Sequence, residues 1–154
     1  DEVLDRDFPL FGACYGVGTV GTAIGARIDD TYSEKPKVIE VSLVREDPLL
    51  EGMPQSFHTM VGHKEAVAVL PDVATVLATG QDCPTQMFRV QDNIYATQFH
   101  PELAPAEFEQ RLRIYAHAGY YEPHELDEIL AGTRGVDLSV DDRILRNFAT
   151  RYAR

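Results

Sequence analysis

The sequence has no tryptophan and only two cysteines, Cys14 and Cys83, in 154 residues. Two thiols cannot build a disulfide framework, so a reducing, cytoplasmic setting is expected. No run of about 18 apolar residues occurs, which excludes a membrane-spanning helix. Basic charge is scarce: 14 Lys and Arg stand against 25 Asp and Glu, a formal net charge of −11. The arginines are scattered and form no stripe. Nucleic acid and anionic lipid both need cations to replace their counterions, so neither a nucleic-acid partner nor a membrane is expected. The acidity reads as solubility. What is present is ordinary for a globular chain, with 44% hydrophobic and 25% charged residues. A single domain covering residues 1–154 is expected, able to bury roughly 68–70% of its extended surface. The opening residues 1–7 carry neither the basic nor the apolar segment of a signal peptide. They read like the interior of a longer chain, leading into a strand.

Residues 8–13 are a short apolar run of strand length between turn formers. Residues 16–26 (GVGTVGTAIGA) are small and apolar throughout. Glycine weakens a helix, yet small residues let one lie close against a sheet, so a buried helix is expected here. In residues 37–45, Ile39, Val41 and Leu43 share one face, as a strand requires. Residues 57–61, 66–70, 73–78, 86–90 and 94–99 are further strand candidates, separated by Pro71-Asp72, Gly80-Gln81-Asp82 and Gln91-Asp92-Asn93. The texture then changes. Phe108, Leu112 and Tyr115 fall at helical spacing within 105–118. Pro123 suits a first helical position for residues 123–130. Ser139 and Asp142 resemble a capping box with Asp for Glu, opening a helix whose apolar stripe is Leu145, Phe148, Ala149 and Tyr152. The outline predicts an α/β domain with a helical C-terminal cap.

Chemistry concentrates in two places. Gly12-Ala13-Cys14-Tyr15-Gly16 lies between a strand and a helix and has the form of a nucleophile elbow with cysteine at its centre. A sharp strand-to-helix turn strains the nucleophile's backbone and requires small flanking residues. The following helix N-terminus favours thiolate. Alone, the pentapeptide fits a structural cysteine in a glycine-rich turn equally well. Gly16-Val17-Gly18-Thr19-Val20-Gly21 is also a literal GxGxxG, which a dinucleotide-binding fold would use against pyrophosphate. That fold needs a second strand ending in an acid about 20 residues on. Glu34 has the spacing but no buried strand before it, so close helix–sheet packing is the better account. The second place is Thr97-Gln98-Phe99-His100-Pro101-Glu102. A histidine at a strand end can act as base for a thiol, and a carboxylate two residues on can fix its tautomer. Alone, it fits a surface histidine beside an exposed acid.

Taken together, GACYG after a strand and TQFHPE far downstream resemble the class I (triad) glutamine amidotransferases, in particular the amidotransferase domain of GMP synthase and its stand-alone relatives. Gly62-His63-Lys64-Glu65-Ala66-Val67 resembles that family's segment between elbow and histidine. The resemblance covers residues 8–103, the catalytic core, with 104–154 as C-terminal helices. It implies a doubly wound, mostly parallel, flavodoxin-like sheet that here lacks its N-terminal strands, so that the chain corresponds to the C-terminal two-thirds of such a domain. It implies Cys14 as nucleophile, His100 as acid and base, Glu102 as its orienting carboxylate, and the Tyr15 N–H as half of an oxyanion hole flanked by Gly12 and Gly16. The substrate implied is glutamine, with ammonia passed to a synthetase partner. No cofactor is implied.

One departure stands out. The family's glutamine-holding Gln, four residues after the cysteine, is Gly18 here. A γ-glutamyl or other small-amide substrate, or a non-catalytic binding domain of the same fold, is therefore kept as an alternative. His63 is a candidate for touching substrate, against an ordinary hydrogen-bonded loop histidine. Cys83, beside Pro84, reads as structural. His58, His117 and His124 lack metal-ligand spacing, and no metal is expected. Tyr115, Tyr120 and Tyr121 read as packing residues.

Overall fold

The computed structural model describes residues 2–153. Its strands are β1 (Leu10–Ala13), β2 (Arg27–Asp29), β3 (Glu34–Leu43), β4 (Ser56–His63), β5 (Ala66–Val69), β6 (Ala74–Gly80), β7 (Met87–Val90) and β8 (Ile94–Thr97). Its α-helices are α1 (Glu2–Asp5), α2 (Tyr15–Ala23), α3 (Pro105–Ile114), α4 (Leu126–Ala131) and α5 (Asp142–Tyr152). Six strands form one sheet in the order β1-β8-β7-β6-β3-β4, and β2 pairs with β5 beside it. The α/β class and the helical C-terminal cap are as expected. The expected mostly parallel sheet is corrected. Among the described residues only β1 and β8 run parallel, while β8–β7, β7–β6, β6–β3 and β3–β4 are all antiparallel. The turns at 80–82 and 91–93 explain the β6–β7 and β7–β8 pairs, because short connections join antiparallel neighbours, whereas parallel strands need a long crossover.

The period of two decides the two faces. Met87, Tyr95 and Phe99 enter one core with Val41, Leu49, Phe57, Leu77 and Ile144. Phe88, Val90, Ile94 and Ala96 alternate with them into a second core against Val17 and Val20 of α2. Burying each large side chain contributes about 1.5–3 kcal/mol relative to exposure. α2 lies close to its neighbours because Gly21 has no side chain: a Cβ there would come within 2.9 Å of Ile28. Of the three glycines in the GxGxxG run, Gly21 has the expected packing role, while a Cβ at Gly16 or Gly18 meets open space. Glu34, the acid a dinucleotide would need, is instead buried beside His63.

Helix α5 covers the first core. Phe148 packs edge-on against Phe11 and Tyr95, and Asn147 Nδ2 donates to the carbonyls of Leu49 and Glu51. The expected stripe is corrected: Ile144 is the fully buried residue, and Ala149 is exposed. The expected cap is corrected too. Ser139 bonds Asp137, and Asp141 immediately precedes the helix, its carboxylate buried on Thr59. Burial pushes the Asp141 carboxyl up to about 6.

A third core joins α3 and the following segments, with Met60, Leu103, Phe108, Leu112, Tyr121 and Leu138. Two lysines tie this cap to the sheet: Lys64 Nζ donates to the Ala118 carbonyl at 2.6 Å, and Lys35 pairs with Glu125 at 2.7 Å.

Candidate active site

Register brings the two sequence segments together. In the parallel β1–β8 pair, Ala13 stands opposite Thr97. Cys14 follows at once, and its N–H donates to the Thr97 carbonyl at 2.7 Å. Three residues beyond Thr97 the chain reaches His100, whose own N–H donates to the Met60 carbonyl at 3.0 Å. The Thr97 hydroxyl donates to the Phe99 carbonyl at 3.0 Å, holding that turn.

Cys14 has φ of +48°. A non-glycine residue there is strained, and the surrounding pairing holds the strain in place. Gly12 is required by contact: its Cβ would lie 2.8 Å from the Gly16 Cα. The requirement for small flanking residues thus holds at Gly12 and is corrected at Gly16. The obstacle is Gly16 itself, and a Cβ at Gly16 meets open space. Tyr15 begins α2, where first-turn N–H groups lack intrahelical partners. Its side chain is exposed.

His100 is buried and Glu102 half-open. The His100 Nδ1 lies 2.8 Å from Glu102 Oε1. The ring lines the same cleft as Cys14, whose sulfur lies 3.9 Å from the Gly62 carbonyl oxygen. Burial by itself would lower the His100 pKa. The hydrogen bonds to Cys14 and Glu102, with their negative fields, overcome it and raise the group to about 9. Burial would raise Glu102, but the hydrogen bond from His100, its charge and that of Arg111 hold the carboxyl below its ordinary range.

These groups open onto a cleft of about 420 Å³. Arg111 of α3 reaches into it, with Nη1 3.4 Å from His100 Nδ1 and 3.5 Å from Glu102 Oε1. Phe108, Tyr115, Tyr120 and Tyr121 form an aromatic wall. The tyrosines expected only to pack therefore also line the cleft. Sequence reasoning missed Arg111. Phe108, Arg111, Leu112 and Tyr115 share one face of a helical period, but nothing in the sequence says that this face folds back over His100.

Gly12, Cys14, Tyr15, Gly16, His100 and Glu102 thus form one neighbourhood, and His63 does not join it. His63 is buried at the end of β4, with Nε2 2.9 Å from Glu34 Oε2 and Nδ1 3.1 Å from the Glu65 carbonyl. Cys83 is fully buried and free, and burial pushes its thiol up to about 11. His58, His117 and His124 are exposed. A Cβ at Gly18 meets open space.

A family model for class I glutamine amidotransferases matches residues 1–114. The chain belongs to that family. It is 30% identical over 102 residues to a glutamine-hydrolyzing GMP synthase subunit of Methanosphaera stadtmanae, covering 66% of this chain and 55% of that one. It is 32% identical over 115 residues to the glutamine-hydrolyzing GMP synthase of Thermosipho melanesiensis, covering 73% and 22%. The chain thus spans about half the length of the GMP synthase subunits it matches and a smaller part of the longer synthases. Its fold is similar to that of a glutamine amidotransferase from Thermotoga maritima, with a TM-score of 0.78 at 22% identity over 97% of this chain and 64% of the other. A glutamine amidotransferase from Methylobacillus flagellatus gives 0.70 at 16% identity over 96% and 60%. This class I amidotransferase domain contains, among the described residues, no helix long and apolar enough to cross a membrane.

Proposed function

We propose that this domain hydrolyses the side-chain amide of glutamine through Cys14, His100 and Glu102. The observation that carries the reading is the position of His100, which shares one cleft with Cys14 and is hydrogen-bonded to Glu102. The Cys14 sulfur is the nucleophile, and its proton passes to His100 as it attacks. Sulfur attacks the amide carbon, forming the C–S bond. The carbonyl oxygen becomes an oxyanion facing the Tyr15 N–H at the start of α2. His100 gives its proton to the nitrogen, the C–N bond breaks and ammonia leaves. A γ-glutamyl thioester remains on Cys14. His100 then takes a proton from water, the hydroxide attacks the thioester, and glutamate departs as the thiolate re-forms. Glu102 keeps the ring oriented and stabilises its charged form. The ammonia is passed to a synthetase partner, a reading supported by the relatives named as GMP synthase and as its glutamine-hydrolyzing subunit.

The aromatic wall favours a second reading of the substrate, a γ-glutamyl amide with a bulkier amine than ammonia. One experiment addresses both. A diazoketone analogue of glutamine is incubated with the protein, the adduct is mapped by mass spectrometry, and turnover of glutamine is compared with that of a γ-glutamyl anilide. Stoichiometric labelling of Cys14, prevented by glutamine, is expected. Labelling elsewhere, or none, overturns the Cys14 mechanism. A higher kcat/KM for the anilide transfers the assignment to the bulkier amide.

A further inference from the structure

A second group of the same three residue types lies outside the cleft. Glu34 at the start of β3, His63 at the end of β4 and Cys83 in the β6–β7 connection converge in the interior. One donor atom from each lies within 4.8 Å of the other two. All three side chains are buried, and the amidotransferase reaction proposed above uses none of them.

His63 Nδ1 faces the Glu65 carbonyl and Nε2 faces the Glu34 carboxylate, and both partners are acceptors. Two donors are needed for these two oxygens, and at Nε2 that place can be filled by a proton or by a metal ion. An N–H at Nδ1 donating to a backbone carbonyl is the arrangement that fixes a metal-bound histidine and aims the Nε2 lone pair at the ion. Gln86 is a further polar neighbour of this group. It is fully buried, its Nε2 donates to Glu34 Oε2 at 2.7 Å, and its Oε1 has no hydrogen-bond partner. A half-turn of that amide exchanges the two atoms and aims the unpaired oxygen at the same point.

We propose that Glu34 Oε2, His63 Nε2, Cys83 Sγ and the side-chain oxygen of Gln86 bind a zinc-class divalent ion. One sulfur, one imidazole nitrogen and two oxygens are a donor set that such an ion accepts in tetrahedral geometry. Bond lengths of about 2.0–2.3 Å place tetrahedral ligand atoms about 3.3–3.6 Å apart, so the Glu34–His63 contact opens by about half an ångström. Four coordinate bonds form. The Cys83 thiol proton leaves, as does the proton held between His63 and Glu34, and no electron moves. A dication with one thiolate and one carboxylate is neutral, which suits a buried position. An adjoining cleft of about 520 Å³ reaches Glu34 beside Lys37, Gly80 and Asp82, giving the ion a way in. The ion would clamp β3, β4 and the β6–β7 connection together.

The test uses chelator-treated protein titrated with Co²⁺ alone, followed by displacement with Zn²⁺. One equivalent of Co²⁺ with a thiolate-to-metal charge-transfer band is expected in the wild type and in Cys14→Ser. In Cys83→Ser the band is expected to vanish, and Zn²⁺ affinity to fall by about a hundredfold or more. X-ray absorption of the zinc-loaded wild type is a check that needs no variant: one sulfur at about 2.3 Å is expected, with nitrogen and oxygen at about 2.0–2.2 Å. Absence of one-equivalent binding, a band that follows Cys14, or a zinc shell without sulfur overturns the proposal and leaves Glu34 and His63 as an ion pair only.

Discussion

Two cysteine–histidine–glutamate groups occupy this domain, and their surroundings separate them. In the first, Cys14 sits on a strained turn at a helix N-terminus beside an open cleft, and His100 is raised to about 9 by the groups on either side. In the second, Cys83 is fully buried in a loop, its thiol bonded to the Thr85 carbonyl and pushed up to about 11. Residue type therefore does not assign the chemistry. Access to solvent, the backbone angle at the sulfur and the burial that pushes the Cys83 thiol up distinguish the two cysteines.

The largest expected difference is in reactivity. Iodoacetamide at neutral pH is expected to alkylate Cys14 in native protein at least about a thousandfold faster than Cys83, because a thiol near 11 is almost wholly protonated and this one is also enclosed. Peptide mapping over time measures the two rates, and comparable rates would erase the distinction. Denaturant should equalise them.

A smaller effect comes from breaking the elbow alone. Gly12→Ala places a Cβ against the Gly16 backbone and is expected to cost about 1–3 kcal/mol in urea unfolding. It should also slow Cys14 alkylation while leaving Cys83 inside the fold. An unchanged midpoint and unchanged Cys14 rate would show that the turn tolerates the methyl.

The smallest effect is in pH dependence. His100 is raised in the folded state from an ordinary 6.5 to about 9. Its contribution to stability is therefore fully present below about 6.5 and lost as pH rises through about 9. The urea midpoint is expected to fall across that window. Glu102→Gln removes one of the groups holding the proton and should flatten the fall, by about 1 kcal/mol. A slope that Glu102→Gln leaves unaltered would show that the carboxylate does not hold the imidazolium.

Much of the first site was legible because its determinants are local. A cysteine between two glycines, at a strand-to-helix junction, specifies a strained turn from sterics within five residues. His100 and Glu102 are two positions apart, so any turn between them allows the contact. The second group was not legible. Glu34, His63 and Cys83 come from separate elements, and a rule based on ligand spacing along the chain passes over them. Arg111 was hidden for a related reason: the sequence marks α3 as amphipathic but does not say which surface its apolar face meets.

The sequence by itself determined the acidic surface, the alternation that divides β7 and β8 between two cores, the small-residue helix behind the elbow and the elbow's strain. Each of these follows from steric or hydrophobic rules acting over a few residues. Only the tertiary structure decided that the sheet is largely antiparallel, that Ala13 stands opposite Thr97 so that Cys14 meets His100, and that His63 turns inward to Glu34 while Arg111 reaches Glu102. Those outcomes depend on which strands pair and in what register. That choice is made by packing summed over the whole sheet, and no single segment carries enough energy to make it alone.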